Sequence, residues 1–196
     1  MKLSGASLSV ALCLLVLSGC GGTPKKDTFY RLPDAAGSAM VTVEDGPVLY
    51  IPPFGADGLH GERALIYAHD DGTTLEQYNY HYWVDSPRQL LQQALATHLR
   101  ATHRIALTPS ADAVHSLRGR IVRFERQGQG KNGTAEVELE FELLPADTDV
   151  PVFARRYARS AALSDDEIGS CAGALGRAAQ EVLVELSTDL EAYWGH

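Results

Sequence analysis

The chain has 196 residues, with 17 Lys and Arg against 25 Asp and Glu, and three cysteines. That length suits one domain with a core of its own once a leader is removed. A net charge of −8 at pH 7 argues against nucleic acid and against an anionic membrane as a docking surface.

Residues 1–19 read as a signal peptide. Lys2 supplies the early positive charge, and an apolar run follows from Leu8 to Leu17, broken only by Ser9. The run is shorter than the roughly 20 apolar residues that a membrane-spanning helix needs. Leu17-Ser18-Gly19-Cys20 resembles the lipobox of bacterial lipoproteins, which implies that Cys20 is acylated and becomes the first residue of the mature chain. One acyl chain holds a protein only weakly, whereas several hold firmly. Gly21, where Asp would favour retention at the inner membrane, points by the same resemblance to the outer membrane.

Residues 20–27 form a tether punctuated by Gly and Pro. Eight residues reach at most about 26–29 Å, so the domain that follows, 28–196, sits near the bilayer. Lys25 and Lys26 suit either solvent or lipid headgroups. Of the cysteines, Cys13 leaves with the signal and Cys20 takes lipid, so an internal disulfide in a monomer has no partners. Cys171 lies at an apolar position of a predicted helix and reads as a buried, inert thiol.

Thr28–Leu32 reads as a strand closed by Pro33. Met40–Val43 and Val48–Ile51 read as strands around the turn Glu44-Asp45-Gly46-Pro47, and Pro52-Pro53 stops the second. Phe54–Glu62 reads as a loop. Ala64–Ala68 is a strand, Asp71-Gly72 a hairpin turn and Thr74–Tyr80 its return. Tyr78-Asn79-Tyr80-His81-Tyr82-Trp83 follows, the densest aromatic cluster in the chain. Its Tyr78, Tyr80, Tyr82 and Trp83 are candidates for a partner surface, or for the core edge where strand gives way to helix.

Ser86-Pro87-Arg88-Gln89 has the signature of a helix start. Leu90, Leu91, Ala94, Leu95, His98 and Leu99 continue it at helical spacing. Ile105–Leu107 is a short strand. His115–Gln127 is a long one whose alternation changes phase, as a bulge would make it. In Ala135–Leu143, Ala135, Val137, Leu139, Phe141 and Leu143 alternate with Glu136, Glu138, Glu140 and Glu142, so one face packs and the other is wet. Arg118, Arg120, Arg123 and Arg126 on the preceding strand are the natural partners of those glutamates, which predicts a hairpin. Arg155, Arg156 and Arg159 of a third strand, Val152–Arg159, are further candidates. Ser164-Asp165-Asp166-Glu167 predicts a capping box. Ile168, Cys171, Leu175, Ala178, Val182, Leu186, Leu190 and Tyr193 then make one long amphipathic helix. Gly169, Gly173 and Gly176 in its first half suggest close approach to the sheet or to another subunit.

Motifs for catalysis are missing: the chain carries no Gly-x-Ser-x-Gly elbow and no P-loop. His98 and His103 are five apart and share a helix face poorly. His60, His69, His81 and His115 stand isolated in sequence. No cofactor, metal or catalytic residue is expected, and the chain is not expected to be an enzyme.

Taken together, Phe29-Tyr30-Arg31-Leu32-Pro33 after a lipidated Cys, Ala64-Leu65-Ile66-Tyr67, the run Tyr80–Pro87 leading into Leu90-Leu91 and Ala94-Leu95, and the long C-terminal helix resemble the ABC-type transport auxiliary lipoproteins (PqiC/YmbA-like). Ala68 stands where a polar or basic residue is expected, which leaves the transport complex open. The resemblance implies a non-enzymatic periplasmic component on the outer membrane that works with MCE-domain proteins carrying lipid between membranes. A homo-oligomeric ring is compatible with it. The alternative is an anchored activator or scaffold of another envelope machine, such as cell-wall synthesis. The expected fold is α+β: a mainly antiparallel mixed sheet with two long helices packed on one face, a two-layer sandwich.

Overall fold

A computed structural model describes residues 25–33, 48–102, 106–108, 113–128, 130 and 133–195. The signal peptide, Cys20, His103 and the strand expected at Met40–Val43 lie outside the described residues. The elements run β1 (Thr28–Tyr30), β2 (Val48–Tyr50), β3 (Gly55–Ala56), a 3-10 turn (Gly58–Gly61), β4 (Ala64–Ala68), β5 (Leu75–Trp83), α1 (Pro87–Thr102), β6 (Ala106–Leu107), β7 (His115–Gln127), β8 (Thr134–Pro145), β9 (Phe153–Ala162) and α2 (Ile168–Trp194).

The class is α+β as expected, but the sheet is mixed, not mainly antiparallel. β7 is its spine. On one side it pairs antiparallel with β8 along its length, and β8 pairs antiparallel with β9. On its other side β2, β3 and β4 follow one another, each parallel to β7, at Ser116, Arg120 and Arg126 respectively. β4 pairs antiparallel with β5, and β5 parallel with β1. The antiparallel pairs are the ones that tight turns announce locally. The parallel pairs join distant segments through a few residues each and leave no local signature.

The β7–β8 hairpin forms as its alternation requires, with a register shift between Ile121 and Arg123. Before the shift Leu117, Gly119 and Ile121 face the helices; after it Phe124 and Arg126 do. Arg126 is therefore turned away from the glutamate face on which the alternation had placed it. On that face Arg120 meets Glu140 and Asp57, and Arg156 lies 2.7 Å from Glu138. Arg118 reaches Asp149 at 4.0 Å rather than a glutamate of β8. Arg155 and Arg159 share the helix side with Tyr157 and pair with Asp189 and Glu185 of α2.

The helices contribute to one core. Leu91, Leu95 and Leu99 of α1 and Leu175, Val182, Leu186 and Leu190 of α2 are buried with Phe124, Phe141 and Trp83. The two helices touch where His98 Nε2 lies 2.9 Å from Ser187 Oγ. α1 starts as predicted: Gln89 and Leu90 donate to the Ser86 carbonyl, each at 3.0 Å. α2 starts later than the predicted capping box, with Glu167 at the N-cap and no side-chain cap bond. Asp165 instead accepts from the Glu167 N–H at 2.9 Å, and Asp166 is held by Arg126. The small residues of α2 let it pack on the sheet, with Ala172, Ala174, Ala178 and Ala179 buried in the common core, and its glycines also admit the N-terminal segment. A Cβ at Gly176 would lie 2.2 Å from Cδ of Pro33, and one at Gly169 would lie 3.7 Å from the Tyr30 ring.

Candidate functional site

The aromatic run lies within one strand, β5, which continues past the expected end at Tyr80 to Trp83. Its pairing with β4 is broken: Ala64 faces Tyr82 while Ile66 already faces Gln77. Four residues of β5, Tyr78 to His81, thus stand opposite the single Leu65, and Tyr80 takes φ 66°. That backbone is costly for a bulky side chain. A bulge of this kind re-aims side chains, and it divides the four aromatic candidates among three environments.

Trp83 is 1% exposed, with its ring 5.3 Å from Phe124. It belongs to the core and offers nothing to a partner, which corrects its placement on a surface. Tyr78 is half-buried on the helix side, its ring 4.5 Å from Tyr67 and its hydroxyl 3.4 Å from Nη1 of Arg126. Burial raises the pKa of Tyr78 above the usual phenol value, so it stays protonated. Tyr80 is 42% exposed. Tyr82 packs its ring 5.9 Å from Phe29.

Around Tyr78 lies a polar group that sequence spacing did not reveal. The buried Arg126 donates to the carbonyls of Gly128 at 3.1 Å and Gly130 at 2.9 Å, and to the Asp166 carboxylate. Tyr67, Tyr78, Arg126, Asp166 and Ile168 line a shallow pocket there. Tyr30 OH lies 2.8 Å from His81 Nδ1, so His81 has a partner from β1. The only hint in the sequence was the phase change of β7, which turns Arg126 inward.

His60, isolated in sequence, belongs to a second buried pair. His60 Nε2 lies 3.5 Å from Glu125 Oε2, and Arg123 Nε lies 3.6 Å from Glu125 Oε1. Burial raises the Glu125 pKa, opposed by Arg123; burial and Arg123 lower that of His60. Cys171 is fully buried, and its thiol is pushed up to about 11 by desolvation. It is a thiol and not a thiolate at neutral pH, so it is a poor nucleophile. Among the described residues, no group of three or more His, Cys, Asp or Glu stands in metal-binding geometry, and no helix is long and apolar enough to cross a membrane.

A two-helix layer on a mixed sheet, with ion pairs and tyrosines that tie loops to strands, defines an α+β domain. The chain belongs to the family described as the ABC-type transport auxiliary lipoprotein component, whose pattern matches residues 30–187. The family is one of lipoproteins, hence membrane-associated, and an auxiliary component works beside other parts of a transport system. Solved structures share the fold. A Xanthomonas campestris protein superposes with a TM-score of 0.70 at 18% identity, covering 82% of this chain and 92% of that one. An uncharacterised protein gives 0.69 at 12% identity, over 85% and 99%. A hypothetical Chlamydia trachomatis protein gives 0.53 at 10%, over 76% and 98%. At these identities the likeness speaks for the fold alone. No curated protein matches the chain.

Proposed function

We propose that this chain is a non-enzymatic lipoprotein, held at the periplasmic face of the outer membrane by acylated Cys20, and that it serves an MCE/ABC-type system moving lipid between membranes. The observation that carries the proposal is the family match over residues 30–187, nearly the whole domain behind the lipobox. The anchor fixes the domain on the bilayer, and the domain docks the transport proteins. β9, paired among the described residues only with β8, leaves a backbone edge to which a partner strand or a second copy of the chain can add. Its unpaired N–H and C=O groups supply affinity, and Arg156 and Ser160 supply selectivity. The grouped ionisable side chains support a structural role, since Arg126 ties the β7–β8 turn to the start of α2.

Photo-crosslinking from β9 positions in intact cells tests the proposal. Capture of an MCE-domain protein is expected. Capture of a cell-wall synthase in its place would move the chain to another envelope machine.

A further inference from the structure

The bulge in β5 leaves Tyr80 in a left-handed backbone conformation and exposed. Among the described residues, Tyr80 makes no hydrogen bond that accounts for a tyrosine at such a position. Lys25 Nζ lies over its ring at 5.9 Å. Beside it, Phe29 is 53% exposed, in tilted ring contact with Tyr82 and covered on one side by the Arg63 guanidinium at 5.7 Å. Arg63 is itself fixed by the carbonyls of Trp83 and Val84 at 3.3 and 3.0 Å. Apolar ring faces, phenol tips and cations thus meet at β1, which among the described strands pairs on one side only; this is the composition that bilayer interfaces select.

The position of this corner on the chain points the same way. Lys25 is five residues after Cys20, and five residues reach at most about 18 Å. An acyl group on Cys20 therefore delivers this edge, and no other described edge so directly, to the headgroups. The acidity of the whole chain is not shared here: Lys25, Lys26, Arg31 and Arg63 are exposed against Asp27, Glu62 and Asp85. With the anchor supplying a high local concentration, a small patch suffices to set orientation.

We infer that Phe29, Tyr80 and Tyr82, with Lys25 and Arg63, form a seat on the lipid surface, so that the domain stands on the membrane by its β1 edge. This rests on the proposed acylation of Cys20 and names the occupant of the tyrosine surface as lipid rather than protein. β9 then lies on the far side of the sheet. Five strand spacings separate it from β1, about 24 Å, so β9 is turned away from the membrane towards the partner.

The test uses the full processed protein, purified in detergent, checked for acylation by mass spectrometry and reconstituted into phosphatidylethanolamine vesicles containing phosphatidylcholine brominated in its acyl chains. Seating about 5–10 Å into the headgroup boundary should quench a Phe29→Trp probe about twofold more than a Val184→Trp probe on the exposed face of α2. Hydrogen exchange on the unaltered protein is the second measurement: amides of residues 26–31 and 79–82 should slow on vesicles relative to detergent. Equal quenching of the two probes, or slowing that appears only when a partner protein is added, overturns the lipid seat while leaving the anchor intact. An unmodified Cys20 overturns both the seat and the proposed function.

Discussion

Gly176 of α2 lies under Pro33, so close that a Cβ there would stand 2.2 Å from the proline Cδ. The contact clamps the segment that leads from the tether onto the longest helix. Gly173, one turn earlier, would place its Cβ 3.5 Å from the flexible end of Arg177, an ordinary contact. The two glycines therefore respond oppositely to the same substitution. Gly173→Ala should gain about 1 kcal/mol from helix propensity. Gly176→Ala should lose about 1–3 kcal/mol because the clash outweighs that gain. Urea unfolding midpoints of the two variants give the comparison.

Tyr80 and Trp83 are neighbours in the chain with opposite energetic roles. Tyr80→Gly relieves the left-handed backbone and should raise stability by about 1 kcal/mol, while removing the exposed ring. Trp83→Ala empties a core position and should cost about 3–5 kcal/mol. Thermal melts report both, and a Tyr80→Gly variant that melts lower than the parent would show that the ring is held by packing.

Arg126 carries its charge inside the protein, satisfied by the carbonyls of Gly128, Gly130 and Asp166, the Tyr78 hydroxyl and the Asp166 carboxylate. Arg126→Met leaves those acceptors without a donor and should destabilise by about 3–5 kcal/mol. Arg126→Lys keeps the charge but cannot reproduce the fork, and should fall between the two. Circular-dichroism melts of the three proteins would test this order.

The His60–Glu125 pair predicts a pH dependence of two signs. Burial lowers the His60 pKa below 6.5, so the unfolded chain takes up this proton first and stability falls as pH drops below 6.5. The Glu125 pKa is raised above 4.5, so the folded state takes up that proton first and stability is regained as pH approaches 4.5 from above. Glu125→Gln removes the buried charge and should stabilise at pH 8, with the gain shrinking as the pH falls towards 4.5. Guanidinium midpoints measured across this range would reveal it; a constant gain would assign the effect to packing.

Much of the β7–β9 half was legible because each strand there has one wet face. The alternation of Ala135–Leu143 fixed its hairpin, and the parity change from Ile121 to Phe124 located the bulge. Arg155 and Arg159 were misassigned because they share parity with the buried Tyr157 and so face α2, where Asp189 and Glu185 meet them; only Arg156, of opposite parity, lies on the glutamate face. The capping box at Ser164 failed for a tertiary reason: Arg126, forty residues earlier in the chain than Asp166, holds that segment out of the helix. The candidate tyrosine surface was visible as composition. Its division into core, polar pocket and exposed corner was not, because it depends on a bulge opposite Leu65 that no residue in β5 announces.

β1 consists of three residues which, among the described strands, pair with β5 alone, with one further bond from the Val84 N–H to the Tyr30 carbonyl at 2.8 Å, followed by Pro33 lodged on Gly176. Any pull transmitted along the chain from the side of Lys25 loads that short strand first and the proline wedge second, before it reaches the helix or the hairpin. The domain is thus built with a mechanical fuse at its entry: under tension it would lengthen its leash by peeling β1 while the rest of the sheet stays whole.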